Sequence, residues 1–353
     1  MFKLCFRLSV LSTALVLTAC VSEEAAFPEL PHLNIDPQAV TVAGLSSGGY
    51  VAHQLHLAWP ETFHGAALMA SGPYGCARSG LSAALTHCTG TAAGAPSVDE
   101  TLTLVQNSAE AGELGRLSLL QDDVVFLYHA GADPVVASGV TEARDQLYQA
   151  LGAKTHIMTL ASAGHGWPVD LSVSEDVVAC DETASPFLNA CDASVAAQEI
   201  TALYGHSDAG ASEAAQTADD HSQAQGYLTQ FDQRPWKTAG KHSLKVLADY
   251  GYVYVPQACE NGERCGLQLV LHGCEQSVEA IGTAFIEKSR LLAQADARQL
   301  VLLFPQTQDS LANPKGCWDW WGLEGEGYDT REGQQMKALH HMVETVMDAP
   351  AAE

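Results

Sequence analysis

Basic residues are scarce in this chain. Lysine and arginine together number 17 in 353 residues, against 42 aspartates and glutamates, for a formal net charge of −25. A surface of that sign repels nucleic acid and anionic lipid headgroups, which argues against both as partners. Long apolar runs are also missing: no internal stretch approaches the roughly 20 residues that a membrane-spanning helix needs. No cysteine pair has C-x-x-C spacing, so the chain lacks the usual signature of a zinc site, and no metal is expected. There are no internal repeats. What remains is an acidic chain that is 47% apolar, long enough for one large α/β domain or two small ones.

The N-terminus is built differently. Lys3 and Arg7 precede an apolar stretch, Leu8 to Leu17, which ends in Leu17-Thr18-Ala19-Cys20. A short basic region, a short apolar region and small residues before a cut describe an export signal. The cysteine directly after Leu-Thr-Ala resembles a bacterial lipoprotein signal, which implies lipidation of Cys20 after removal of the leader. Val21, rather than aspartate, follows it, and by the same resemblance this favours the outer membrane. Residues 1–20 are thus read as a lipoprotein signal and 21–33 as a tether. The protein is expected outside the cytoplasm, anchored to the outer membrane or cell surface, or else extracellular.

Export makes the cysteines informative. Of ten, Cys5 lies in the leader and Cys20 at its end. Cys76, Cys88, Cys180, Cys191, Cys259, Cys265, Cys274 and Cys317 remain, an even number in an oxidising compartment. On the order of a hundred pairings are open to eight cysteines. Proximity suggests local bridges 76–88, 180–191 and 259–265, with Cys274–Cys317 as the long-range one.

Residues 34–200 alternate strand-like and helix-like runs, the pattern of a mostly parallel sheet with flanking helices. Strands are expected at 40–43, 65–70, 123–129 and 155–160, with a helix at 50–57. A polar stretch of small residues, about 205–226, reads as a loop. Beyond it "YGYVYVP", "GLQLVLHGC" and "LVLLFPQ" read as further strands, and 332–347 as a closing helix.

The stretch "VAGLSSGGY" follows the first strand. With Gly44 and Gly48 as its frame it fits G-x-S-x-G, the sharp strand-to-helix turn that exposes a nucleophilic serine, here Ser46. A serine hydroxyl is a weak nucleophile and needs a base, and the base needs an orienting acid. "VVFLYHA" ends in a Gly/Pro turn holding Asp133, and "THIMTL" ends in a Gly-flanked loop holding His165. The order Ser46, Asp133, His165 is that of an α/β hydrolase. Asp122 and Asp123 precede their strand and would face the wrong end of the sheet.

An oxyanion hole in such a fold takes one N–H from the residue after the nucleophile, Ser47, and another from a loop after an early strand. A His-Gly turn of that kind occurs only far downstream, as His272-Gly273-Cys274. A circular permutation resolves the misplacement. The C-terminal third then supplies the leading strands, the closing helix leads in space to Ile35-Asp36-Pro37, and 34–350 is one domain.

Taken together, "GLSSGGY", "SGPYGCA", "GADPVV", "AGHGWP", "GYVYVPQAC", "LHGCEQS", "FPQ" and "NPKGCWDWWG" resemble the extracellular poly(3-hydroxybutyrate) depolymerases with a circularly permuted catalytic domain. The resemblance implies a triad of Ser46, Asp133 and His165, an oxyanion hole at the N–H groups of Ser47 and Cys274, and a substrate crevice at Asn313 and Trp318. Trp320 and Trp321 are candidates for the same apolar surface. The expected activity is that of a serine esterase acting on poly(3-hydroxybutyrate) or its oligomers through an acyl-enzyme. No cofactor and a monomeric state are expected. The rivals are a general carboxylesterase, acting on feruloyl or acetyl esters, and a non-catalytic, surface-anchored binding protein on the same scaffold.

Overall fold

A computed structural model describes residues 27–90, 94–205, 225–238 and 243–348. The leader, Cys20 and most of the 205–226 stretch lie outside the described residues. In chain order the strands are β1 (Ile35–Leu45), β2 (Gly65–Met69), β3 (Val124–Ala130), β4 (Lys154–Leu160), β5 (Trp167–Val169), β6 (Val178–Ala179), β7 (Leu188–Ala190), β8 (Tyr227–Asp232), β9 (Tyr250–Val255), β10 (Cys265–Leu271) and β11 (Leu300–Phe304). Eight of them form one sheet in the order β4-β3-β2-β1-β10-β11-β9-β8. The run from β4 to β11 is parallel, and β9 and β8 close one edge antiparallel. The chain thus forms a mostly parallel α/β-hydrolase-like sheet, as the alternating pattern predicts. β8 and the small sheet β5-β7-β6 escaped the reading; the latter's strands are two or three residues long and carry no periodicity.

The main helices are α1 (Ser47–Ala58), α2 (Val98–Glu110), α3 (Ser138–Ala150), α4 (Val195–Tyr204), α5 (Leu291–Arg298) and α6 (Gln334–Met347). Side chains alternate between the faces of a strand, and here both faces are covered. Val40 and Val42 of β1, with Leu267, Leu269 and Leu271 of β10, enter the core under α1, α2, α3 and α6. Ala43, Leu45 and Val270 enter a second core under α4 and α5. Burial on both faces is why the central strands read as nearly continuous apolar runs. Ser97 and Ser194 cap α2 and α4, each side chain accepting an N–H from three residues on.

β1 pairs directly with β10, Gly44 standing opposite Leu271. The Leu33 N–H donates to the Val346 carbonyl at 2.8 Å, so the end of α6 meets the lead-in to β1. Disulfides join Cys76–Cys88, Cys180–Cys191, Cys259–Cys265 and Cys274–Cys317, the pairing that proximity suggested. Four bridges among the described residues suit an oxidising compartment outside the cytoplasm.

Two buried polar systems sit in this frame. Arg144, fully enclosed, donates to the Leu68 and Ser71 carbonyls and to Asp145, whose other oxygen meets His129 Nε2 at 2.5 Å. Glu199 of α4 accepts from the Gln268 side-chain amide of β10 at 3.0 Å. Desolvation by burial pushes its pKa from 4.5 up to about 8, so the folded state keeps a proton that the unfolded chain releases. Stability from this group is fully present below the unfolded pKa and is lost as pH rises towards 8. Glu199→Gln, which never ionises, should therefore gain on the parent between about pH 5 and pH 8.5, by on the order of 2–4 kcal/mol. Urea midpoints at the two pH values measure it.

Candidate active site

Ser46 occupies the single-residue turn between β1 and α1, with φ 54° and ψ −119°. A non-glycine residue held in this sparsely populated region is strained, and such strain collects at functional turns. The flanking glycines follow from contact. A Cβ on Gly44 would collide with the Gly48 carbonyl, and one on Gly48 would collide with the carbonyl oxygens of Leu271 and His272. The turn is pinned from the other side, where the Ser46 N–H donates to the Met69 carbonyl at 2.9 Å.

Asp133 lies just past β3 and His165 just past β4. His165 Nδ1 stands 2.7 Å from Asp133 Oδ2. The other carboxylate oxygen, Oδ1, accepts the N–H groups of Val135 and Val136 at 2.7 and 2.9 Å. With Nδ1–H committed to the carboxylate, a neutral imidazole keeps Nε2 free as an acceptor. The His165 N–H donates to Thr183 Oγ1 at 2.9 Å, which fixes the loop carrying the ring. Ser46 and His165 line the same cleft, of about 640 Å³.

The end of β10 forms the facing wall. A Cβ built on Gly273 would lie 3.5 Å from Ser46 Cβ, so the His-Gly-Cys turn abuts the elbow. The Ser47 N–H is one of the first-turn amides of α1, which have no acceptor within the helix. The Cys274 N–H has no protein acceptor among the described residues. Gln276 holds the turn: its Oε1 accepts the Gly273 N–H at 2.7 Å, while its Nε2 donates to the Pro186 carbonyl at 2.9 Å. Burial lowers the His272 pKa to about 4, so this ring is neutral, and it sits within 2.7 Å of the Gly273 carbonyl.

The cleft is mainly apolar. Leu81, Leu85, Val135, Phe187, Trp320 and Trp321 all line it. Trp320 is stacked on Tyr50 of α1, ring centres 4.3 Å apart, and the Tyr50 hydroxyl donates to the Cys88 carbonyl at 2.7 Å. Asn313 lines the cleft, but its side-chain amide is engaged by the backbone N–H and carbonyl of Cys317. Trp318 requires a correction. Placed in the crevice on resemblance, it is fully buried, is not among the residues that line the cleft, and has its ring 5.3 Å from that of His272. The aromatic wall is made by Trp320 and Trp321 instead. Thr183 and Gln276 were not singled out from sequence. Gln276 lies inside "LHGCEQS", a usable signal, whereas nothing local marks Thr183.

Over 350 residues, 96% of its length, the chain is 31% identical to a poly(3-hydroxybutyrate) depolymerase of Delftia acidovorans, of which it spans 66%. It is 30% identical to a polyhydroxybutyrate depolymerase of Talaromyces funiculosus over 349 residues, covering 96% of that protein. The chain belongs to the polyhydroxybutyrate depolymerase family. Members of this family are carboxylic ester hydrolases. A solved PHB depolymerase in complex with an R3HB trimer superposes with a TM-score of 0.78 at 27% identity, covering 90% of this chain and 98% of the other. No family model matches the chain.

As a depolymerase-family cleft, this one makes different demands on its two neighbouring tryptophans. Trp318→Ala should cost about 3–5 kcal/mol of stability, because it empties a closed site. Trp321→Ala, at a half-open wall, should shift stability by less than about 1 kcal/mol and raise KM for an ester substrate. Denaturant titration and steady-state kinetics on the two variants separate the roles.

Proposed function

We propose that this chain is a serine esterase that hydrolyses poly(3-hydroxybutyrate) or its oligomers. The observation that carries the reading is the convergence of the strained Ser46 turn and the Asp133–His165 pair on an apolar cleft. Ser46 Oγ attacks the ester carbonyl while His165 Nε2 takes its proton, and Asp133 stabilises the imidazolium. The N–H groups of Ser47 and Cys274 receive the oxyanion, charge that develops only in the transition state. The proton passes to the departing alkoxide, leaving an acyl-enzyme that water, activated by His165, then hydrolyses. The apolar wall of Trp320 and Trp321, whose rings meet nearly at right angles with centres 6.0 Å apart, suits a polyester, which offers methyl and methylene groups and no charge along its length.

Residues 34–350 act as one circularly permuted domain. Read from β8, the sheet runs β8-β9-β11-β10-β1-β2-β3-β4, so the C-terminal strands lie ahead of the elbow strand in space. The hydrogen bond between Leu33 and Val346 supports the joining of the two halves there, since neighbouring termini permit such rearrangement. Cys20 carries the lipid that holds the enzyme, a monomer, at the outer membrane.

Clearing of an amorphous poly(3-hydroxybutyrate) suspension tests the activity. The parent should clear it, Ser46→Ala should not, and Asp133→Asn should lower kcat by roughly 10³–10⁴-fold. Ser46-dependent hydrolysis of p-nitrophenyl esters without clearing would leave an oligomer hydrolase or a general carboxylesterase. A folded parent that hydrolyses neither and resists a fluorophosphonate probe would refute the catalytic reading.

A further inference from the structure

The mouth of the cleft carries one ion pair. Besides His165, its charged lining groups among the described residues are Lys315 and Glu275. Lys315 Nζ lies 2.9 Å from Glu275 Oε2, and the two side chains are 63% and 44% exposed. In a chain with 17 basic residues against 42 acidic ones, a cation at this place is not background. The backbone beneath it is fixed. The Glu275 N–H donates to the Lys315 carbonyl at 2.7 Å, and the Cys274–Cys317 bridge ties the two loops together. Asn313 clamps Cys317 through both its N–H and its carbonyl, and the Gly316 carbonyl accepts from Thr307 Oγ1 at 2.5 Å. The lysine is therefore anchored beside Cys274 while its head group stays free to move. An exposed ion pair of this kind contributes little to stability, so Lys315 can release Glu275 at small cost when another carboxylate arrives.

We propose that Lys315 recognises the free terminal carboxylate of a 3-hydroxyacid oligomer, and that Glu275 is the resident competitor for it. The proposal rests on the esterase reading above. A 3-hydroxyacid oligomer ends in a hydroxyl at one end and a carboxylate at the other, whereas the interior of the polymer offers neither. When an internal ester is cut, the hydroxyl-terminated part stays on Ser46 as the acyl group. The carboxylate-terminated part leaves as the alcohol, taking its proton from His165. Lys315 thus holds the leaving segment and selects oligomers with an ionised end over capped esters. Glu275 keeps the ammonium in place in the empty cleft and screens it from other anions. A charge-assisted bond is roughly twice as strong as a neutral one, and at this exposed place salt weakens it.

The test compares kcat/KM for the 3-hydroxybutyrate trimer acid with that for its methyl ester. The parent should prefer the acid. Lys315→Met should lower the acid-to-ester ratio roughly tenfold, chiefly through KM for the acid, and Glu275→Gln should raise it roughly threefold. Opposite shifts at two contacting residues would not arise from simple damage to the loop. In the parent, 1 M salt should narrow the ratio. A ratio unmoved by both substitutions in an active enzyme would overturn the proposal and leave the esterase reading standing. If the parent hydrolysed neither trimer and did not react with a fluorophosphonate, the esterase reading would fall and this proposal with it.

Discussion

The site depends on the contact between Gly48, in the first turn of α1, and the carbonyl oxygens of Leu271 and His272 at the end of β10. No side chain fits between them. This closeness goes with a turn of one residue, which puts Ser46 at positive φ at the head of α1. It also brings the His272-Gly273-Cys274 turn against the elbow, where a Cβ on Gly273 would lie 3.5 Å from Ser46 Cβ. The Cys274–Cys317 bridge and the Gln276 side chain hold that turn from behind. Catalytic groups work through preorganisation of this kind, because donors already in place need no rearrangement as charge develops.

Polar groups around the site divide by burial. His272, whose pKa is lowered to about 4, and His53, lowered to about 3, are neutral under ordinary conditions and serve as hydrogen-bonding parts of the frame. Arg144 and Asp145 stay paired in the interior and brace the ends of β2 and β3, next to the strand end that receives the Ser46 N–H and the turn that carries Asp133. Removing one partner from such a pair would leave an uncompensated buried charge. Among the described residues, charge reaches solvent at the cleft in the Lys315–Glu275 pair. The remaining wall is hydrocarbon and aromatic, suited to a substrate with little charge of its own.

Parts of this arrangement were legible locally. The glycine frame of Ser46, the strand-then-turn settings of Asp133 and His165, and the apolar runs of the central sheet are all written in short windows, because elbows, turns and buried strands impose their chemistry on adjacent residues. The His-Gly turn that abuts the elbow was legible too, as a short motif at the end of an apolar run. β5, β6 and β7 were not, because strands of two or three residues have no period to detect.

By itself, then, the sequence determined the class of fold, the candidate triad and the export-compatible cysteine framework, all of which follow from residue type and spacing. Only the tertiary structure decided which tryptophans face the cleft. Trp318, Trp320 and Trp321 stand in one motif, yet Trp318 is closed off beside His272 while Trp320 and Trp321 form the wall. The direction of each ring is set by what packs behind it, Tyr50 behind Trp320 and the Asn313–Cys317 clamp along the loop. The same holds for Asn313, whose amide looks available in sequence and is engaged in structure, and for Thr183 and Lys315. Their roles come from neighbours distant along the chain, which no local pattern encodes.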